Sequence, residues 1–203
     1  MKRLFVVISA LLAVVFTVAG CGHRPPSQGW VTLIDGDKGF ENFNRVGDAN
    51  WRAEGGAIVA DKGKGGHLVS KNSYKDFEIY AEFWADHTTN SGIFFRITDP
   101  KTIGTASAYE ANIYDQTPVP ANGTGSLANV AAVDPIHKAG GRWNTYEIYA
   151  KGAELTVKFN GVVTVSTRNE KFASGPFSLQ FANRANNAPG GAIKWRKVEI
   201  RPL

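Results

Sequence analysis

The sequence predicts an all-β domain built as a single, mostly antiparallel β-sandwich. Glycine and proline interrupt the chain often, with 22 glycines and 9 prolines among 203 residues. After residue 28, apolar residues mostly alternate with polar ones and rarely recur at helical spacing. Short alternating runs separated by turn residues are typical of a sandwich or a barrel. A chain of this length suits one domain with a full core.

The strands can be placed from period 2, which puts alternate residues on opposite faces of a sheet. The clearest case starts at Phe77, where an apolar residue occupies every second position up to 83. Asn160-Gly161 between two such runs predicts a type I′ hairpin turn. A shift in the pattern near Arg196-Lys197 predicts a bulge. The predicted strands cover residues 30–34, 51–60 (a hairpin turning at 54–56), 67–70, 77–84, 91–97, 108–114, 143–151, 155–159, 162–166, 177–181 and 193–200.

The first twenty residues predict an export signal. Lys2 and Arg3 form a positive region, and an almost unbroken apolar run follows from residue 4 to residue 18. This pattern predicts a signal peptide over residues 1–20. The run ends in Val-Ala-Gly-Cys at 18–21, which resembles the lipobox of bacterial lipoproteins and implies lipidation of Cys21. We therefore expect a lipidated tether over residues 21–28 and the β-sandwich domain over residues 29–203.

Lipidation also explains the cysteine count, since Cys21 is the only cysteine and a lone thiol in an exported protein needs an explanation. Two alternatives stay open: a soluble secreted protein and an uncleaved membrane anchor. The apolar run has about 15 residues, short for a bilayer span of roughly 20. Gly22 after the cysteine resembles the outer-membrane sorting default. We expect a lipid anchor in the cell envelope, in the outer membrane facing the periplasm or the surface.

The charge distribution argues against nucleic-acid binding. The formal net charge is +5 at pH 7, and the basic residues are scattered without a basic cluster or helix.

The segment 116–141 is rich in Ala, Gly, Asn and Pro and shows no strand pattern. A loop of that length is usually functional, so it is interpreted as a lid or wall beside a binding surface, with a disordered insertion as the alternative.

Several segments, taken in order, resemble the 3-keto-disaccharide hydrolase domain family. They are Tyr-Lys-Asp-Phe-Glu at 74–78, Asn-Ser-Gly-Ile-Phe-Phe-Arg at 90–96, Tyr-Glu-Ala-Asn-Ile-Tyr-Asp at 109–115, Ala-Gly-Gly-Arg-Trp-Asn at 139–144 and Ile-Lys-Trp-Arg-Lys-Val at 193–198. The resemblance implies a concanavalin A-like jelly roll with one concave sheet that can hold a sugar. Two features depart from the family. Asn112 stands where the family has Gln in Glu-x-Gln, and no histidine follows Leu179-Gln180.

The resemblance implies cleavage of oxidised glycosides. A 3-keto group makes the hydrogen on C2 acidic, so a base can remove it and the C1 oxygen can leave by elimination. That chemistry needs a base, a partner for the enolate oxygen and an acid. Glu110 is the candidate base, because a carboxylate in a concave sheet is partly desolvated. Arg96 is the candidate enolate partner, with a structural ion pair to Glu82 or Glu110 as the alternative.

The remaining candidates are sugar-binding residues on the polar faces of predicted strands. Amide side chains can bond to hydroxyl groups, and aromatic rings can stack on a pyranose. The four histidines show no ligand spacing, and no glycine-rich loop joins a strand to a helix, so neither a metal nor a cofactor is predicted. The candidate substrate-binding residues are Asn90, Asn112, Gln180, Tyr80, Trp84 and Tyr114.

Two other functions stay open. The same jelly roll supports a non-catalytic carbohydrate-binding lipoprotein, since fold does not fix function. A retaining glucanase would use Glu-x-Asp-x-x-Glu on one strand, and Glu110-x-Asn112-x-x-Asp115 is a degraded version. Residues 110 and 115 point to opposite faces of a regular strand, which separates the carboxylate pair that this mechanism needs.

Overall fold

The computed structural model describes residues 29–184 and 187–203. Two antiparallel sheets pack face to face in these ranges, which confirms the predicted β-sandwich. Short 3₁₀ turns occupy Phe40–Asn42 and Pro120–Asn122. The strands are β1 (Val31–Asp35), β2 (Phe43–Gly47), β3 (Arg52–Glu54), β4 (Ala57–Ala60), β5 (Gly65–Ser70), β6 (Phe77–Ala85), β7 (Asn90–Phe95), β8 (Tyr109–Tyr114), β9 (Arg142–Lys151), β10 (Glu154–Phe159), β11 (Val162–Arg168), β12 (Ser178–Ala182) and β13 (Ile193–Pro202).

The large sheet has eight strands in the order β11-β10-β9-β6-β13-β4-β3, with β1 also paired to β13. The small sheet has five strands in the order β2-β5-β12-β7-β8. Strands distant in sequence are neighbours in both sheets. The central strand β12 of the small sheet, for example, lies between β5 and β7. Residues from four separate parts of the chain therefore meet on one surface.

The core lies between the sheets and contains the apolar set of each alternating strand. Phe77, Phe83 and Tyr109 are almost fully buried there, and Trp195 packs against Phe83 with ring centroids 5.5 Å apart. Removing such side chains from water is the main stabilising contribution to a sandwich of this kind. It also fixes register, because a slip of one residue would turn the core set toward solvent.

Most sequence-based strand predictions are confirmed to within two residues. The hairpin turn has positive φ at Asn160 (49°) and Gly161 (80°), as a type I′ turn requires. The predicted bulge in β13 is present, with a register shift between Trp195 and Lys197. One strand was missed: β2 (Phe43–Gly47) contains Asn44, Arg45 and Gly47, and this composition hides its alternation.

Some sequence-based predictions cannot be compared with the structure. The signal peptide, Cys21 and the tether lie outside the described residues. Within the described ranges, no helix is long and apolar enough to cross a membrane.

The segment 116–141, called the wall segment below, covers the outer edge of β8. Its backbone adds hydrogen bonds to that strand: the Asn112 N–H donates to Ser126 O (3.1 Å), and the Ala128 N–H donates to Glu110 O (2.9 Å). The Tyr146 hydroxyl, buried between the sheets, accepts a hydrogen bond from the Gly125 N–H (2.9 Å) and donates one to Asn112 O. The segment is therefore a fixed wall at one side of the small sheet.

Candidate functional site

The outer face of the small sheet brings together side chains from all five of its strands. Cross-strand register places Val46, His67, Gln180, Gly92 and Asn112 in one row across the sheet, called the central row below. The adjacent row contains Ser178, Phe94 and Glu110, and the row on the other side contains Ala182, Asn90 and Tyr114. Five of the eight predicted catalytic and binding residues therefore share this face: Asn90, Glu110, Asn112, Tyr114 and Gln180.

Glu110 is the most unusual group on this face. Only 8% of the residue is exposed, and its carboxyl lies over Gly92, where an added Cβ would be 2.9 Å from Oε1. Within the described ranges no group donates a hydrogen bond to this carboxyl. Burial without a partner disfavours the charged form and raises the pKa of Glu110 to about 8. At pH 7 the carboxyl is therefore mostly protonated, and its role as the base stays a prediction.

Gln180 lies two strands from Glu110, with β7 between them. It shares the central row with Gly92, one strand spacing away. Its Oε1 atom is buried and has no hydrogen-bond partner among the described residues. An unpaired acceptor beside an unpaired carboxyl is costly in a folded protein unless a ligand or water satisfies it. Gln180 and Glu110 are therefore the candidate ligand-binding groups on this part of the face.

His67 was missed by the sequence analysis, where the four histidines were considered only as metal ligands. It follows Gln180 in the central row. Its Nδ1 is 3.0 Å from Ser178 Oγ, and its ring contacts the Phe94 ring edge-on with centroids 5.3 Å apart. Burial lowers the pKa of His67 to about 4, so the imidazole is neutral at pH 7. The available signal was its place in β5, where His67 alternates with the core residue Leu68.

A cleft of about 580 Å³ opens above His67 and Gln180. Its floor is lined by β5 and β12, and one side is formed by Lys101, Thr102 and Ile103 from the loop after β7. Glycines let β2 and β5 approach closely beneath the cleft, because an added Cβ at Gly47 would be 2.5 Å from the Gly65 carbonyl oxygen. Glu110 lies just beyond this cleft, on the far side of Gln180.

The two predicted asparagines are already bonded within the protein. Asn112 Nδ2 donates to the Asn122 carbonyl (2.8 Å), and its Oδ1 accepts from the Ile113 N–H (2.9 Å). Asn90 Nδ2 donates to the Asn183 carbonyl (2.6 Å). Asn112 therefore holds the wall segment against the sheet.

Comparison with known proteins identifies the domain. The family model for a 3-keto-alpha-glucoside-1,2-lyase-like domain matches residues 29–201. The chain belongs to this family. A search of curated protein sequences found no match.

Solved structures related to this lyase-like domain share its fold. Two candidate glycosyl hydrolases from Parabacteroides distasonis ATCC 8503 superpose with TM-scores of 0.68 (22% identity, 86% of this chain and 99% of that chain) and 0.71 (18% identity, 86% and 94%). The carbohydrate-binding module CBM66 from Bacillus subtilis gives 0.54 (14% identity, 85% and 95%). At these identities the likeness shows the fold alone, a jelly roll used by glycoside-acting and carbohydrate-binding proteins.

Arg96 does not lie with Glu110 in this lyase-like domain, and the prediction that it contacts substrate is wrong. Its φ of +53° ends the alternation of β7 and turns the side chain inward, where it is 1% exposed. The guanidinium donates to the carbonyl oxygens of Lys75 (2.9 Å), Gly152 (2.7 Å) and Phe172 (3.2 Å). It also pairs with Asp76 at 3.3 Å. The alternative prediction, a structural ion pair, agrees better with the structure, but the partner is Asp76 and not Glu82 or Glu110.

Tyr80 and Trp84 were placed on the wrong surface. Both belong to β6 and face outward from the large sheet, while Glu110 faces outward from the small sheet. The face of Trp84 is covered by Lys194, whose Nζ lies 4.7 Å from the ring centroid. The period-2 pattern correctly assigns these residues to a polar face, but it does not show to which of the two sheets that face belongs.

The same face of the large sheet is crossed by ion pairs, such as Arg196 with Glu82 at 2.5 Å. The described residues contain no group of three or more His, Cys, Asp and Glu side chains that could hold a metal ion.

The candidate site consists of three groups on the outer face of the small sheet. They are the protonated Glu110 carboxyl, the neutral His67 imidazole and the unpaired Gln180 amide oxygen.

Proposed function

We propose that this protein is an enzyme that cleaves the glycosidic bond of 3-keto-α-glucosides by elimination. The observation that supports the proposal is the buried, unpartnered Glu110 carboxyl on the outer face of the small sheet, in a domain of this family. A protonated carboxyl is suited to donate to an oxygen that gains charge. It acts most strongly in a site that excludes water.

The reaction balances without a cofactor. A base takes the proton from C2, and the C2–H electron pair forms the C1=C2 double bond. The C1–O bond breaks, and the leaving oxygen receives a proton from the acid. Addition of water across the double bond then completes a net hydrolysis. Glu110 supplies the proton to the leaving oxygen, and Gln180 holds the substrate by its amide.

The test is turnover of a purified 3-keto-disaccharide, with release of the leaving sugar followed by chromatography or NMR. Wild-type protein should release it faster than the uncatalysed rate, and Glu110→Gln should slow release by about 100-fold, the usual contribution of a general acid. Glu147→Gln is the matched control, because Glu147 lies on the outer face of the large sheet, 3.7 Å from Lys158. Release at the no-enzyme rate would refute the proposal.

A second candidate function is carbohydrate binding without catalysis. It is favoured by the position of Glu110, which lies beyond the open cleft and not among its lining residues. Calorimetry on a panel of oxidised and ordinary glycans separates the two functions. Tight binding of an ordinary glycan without turnover of any 3-keto-glycoside would select the binding function.

We also propose that Cys21 is lipidated and anchors the domain to the cell envelope. The support is the sequence pattern before it, a positive region followed by an apolar run ending at a cysteine. Wild-type protein expressed in a bacterial host should partition into detergent and incorporate labelled palmitate. Cys21→Ser should lose both properties. Equal labelling of the two proteins would contradict the anchor.

A further inference from the structure

Building on the function proposed above, we propose that His67 accepts the C2 proton and that Glu110, across the central row, donates the proton to the leaving oxygen. His67 was absent from the sequence-based candidates. The assignment gives the reaction a base that Arg96 and the protonated Glu110 do not supply.

The geometry places the two groups on opposite sides of one amide. His67, Gln180 and Gly92 occupy successive strands in the central row, and the Glu110 carboxyl lies over Gly92. Adjacent strands are about 4.8 Å apart, so the main chain at His67 and the main chain at Gly92, over which the Glu110 carboxyl lies, are about 10 Å apart. That gap accommodates one sugar ring above Gln180, with its C2 side toward β5 and its C1 oxygen toward β8.

The surroundings of His67 fix one nitrogen and leave the other for the substrate. Nδ1 is held by Ser178 Oγ at 3.0 Å, and the edge-on contact with Phe94 holds the ring plane. The assignment uses the tautomer in which Nδ1–H donates to Ser178 Oγ, which leaves Nε2 as the proton acceptor. The charged groups nearest in the cleft are Asp48, Lys64 and Lys101. None of these three forms a hydrogen bond or ion pair with His67 in the described chain.

Both groups hold the proton state that the first step requires. Burial keeps His67 neutral, with a pKa of about 4, and keeps Glu110 protonated, with a pKa of about 8. The step moves the C2 proton to Nε2, forms C1=C2, breaks C1–O and transfers the Glu110 proton to the departing oxygen. The resulting imidazolium and carboxylate return to the starting state when a proton passes back from His67 to Glu110 through water.

Two measurements separate the base from the acid. Exchange of the C2 hydrogen with D₂O in a 1-deoxy-3-keto sugar reports proton abstraction alone, because this compound has no leaving group at C1. Cleavage of a 3-keto-glycoside reports the complete reaction. His67→Gln should lower both rates by about 100-fold. Glu110→Gln should retain exchange, and its cleavage should recover with a 4-nitrophenyl leaving group, which needs no protonation.

His87→Gln is the matched control, because His87 lines a separate hollow with Lys138 and Arg142 and should leave both rates unchanged. Exchange and cleavage at wild-type rates in His67→Gln would overturn the assignment while leaving the proposed function intact. A wild-type protein that neither cleaves nor exchanges would overturn both.

The pH profile of kcat/KM in the wild-type protein tests the same assignment if the His67 variant does not fold. Activity should fall below about pH 4, where His67 becomes protonated, and above about pH 8, where Glu110 loses its proton. Activity that instead rises through pH 8 to a plateau would identify ionised Glu110 as the base and would overturn the role of His67.

Discussion

Replacing Glu110 with Gln should stabilise the folded protein, and the gain should grow as pH rises. Folding holds the Glu110 pKa near 8 instead of its ordinary 4.5. Each unit of difference corresponds to about 1.4 kcal/mol. At pH 7 the unfolded chain therefore gains on the order of 3 kcal/mol by ionising this group, while the folded chain keeps it protonated. Gln has nearly the same shape and carries no such penalty.

The direction follows from proton counting. Between about pH 4.5 and 8 the folded state binds a proton that the unfolded state has released, so the free energy of unfolding falls as pH rises through this window. Below pH 4.5 both states are protonated and the penalty vanishes. His67 acts in the opposite sense, because its lowered pKa costs stability as pH falls from 6.5 toward 4. His67 is present in both wild type and Glu110→Gln, so its contribution cancels from the difference in unfolding free energy between them.

Urea unfolding followed by tryptophan fluorescence at pH 4.5, 7 and 9 measures the effect. The difference in unfolding free energy between Glu110→Gln and wild type should be near zero at pH 4.5, about 3 kcal/mol at pH 7 and up to about 5 kcal/mol at pH 9. Glu147→Gln removes only an exposed ion pair and should change stability by less than about 1 kcal/mol. A constant difference across the three pH values would show that the Glu110 carboxyl ionises normally in the folded protein.

Three further predictions follow from contacts described above. Gly92→Ala should displace the Glu110 carboxyl, since the new Cβ would be 2.9 Å from Oε1; cleavage assays should show a lower kcat, and an unchanged kcat would mean that the carboxyl position is unimportant. Arg96→Lys should lose hydrogen bonds from the guanidinium to backbone carbonyl oxygens and lower the unfolding free energy by about 3 kcal/mol. It should have no specific effect on kcat. Urea titration measures the first effect, and turnover of the folded fraction measures the second. Tyr146→Phe should cost about 1–3 kcal/mol and speed hydrogen exchange of the wall segment; unchanged protection there would contradict its role in fixing that segment.

The sequence predicts the strands well because each is an independent pattern of alternation. Phe77 to Phe83 can be assigned to the core without knowing any partner strand, and Asn160-Gly161 marks its turn by backbone chemistry alone. β2 was missed since Arg45 and Gly47 interrupt its apolar set. These are local features, so they can be interpreted without knowing which strands pair.

The site was only partly predictable, because it depends on which strands become neighbours. Alternation put both Glu110 and Tyr80 on polar faces, but only the pairing order shows that those faces belong to different sheets. Arg96 was misplaced since its positive φ reverses the direction expected from β7. His67 was overlooked because its importance comes from Gln180 and Ser178, more than 100 positions away in the chain and adjacent only after β5 pairs with β12.

The wall segment has a consequence for solubility as well as for the cleft. An uncovered outer strand presents free N–H and C=O groups that can recruit a strand from another molecule. Here residues 125–128 already satisfy much of the β8 backbone, so this border cannot template intermolecular pairing. Shortening the segment to widen access for bulky ligands would expose that border, and the shortened protein should self-associate before it shows any gain in ligand range.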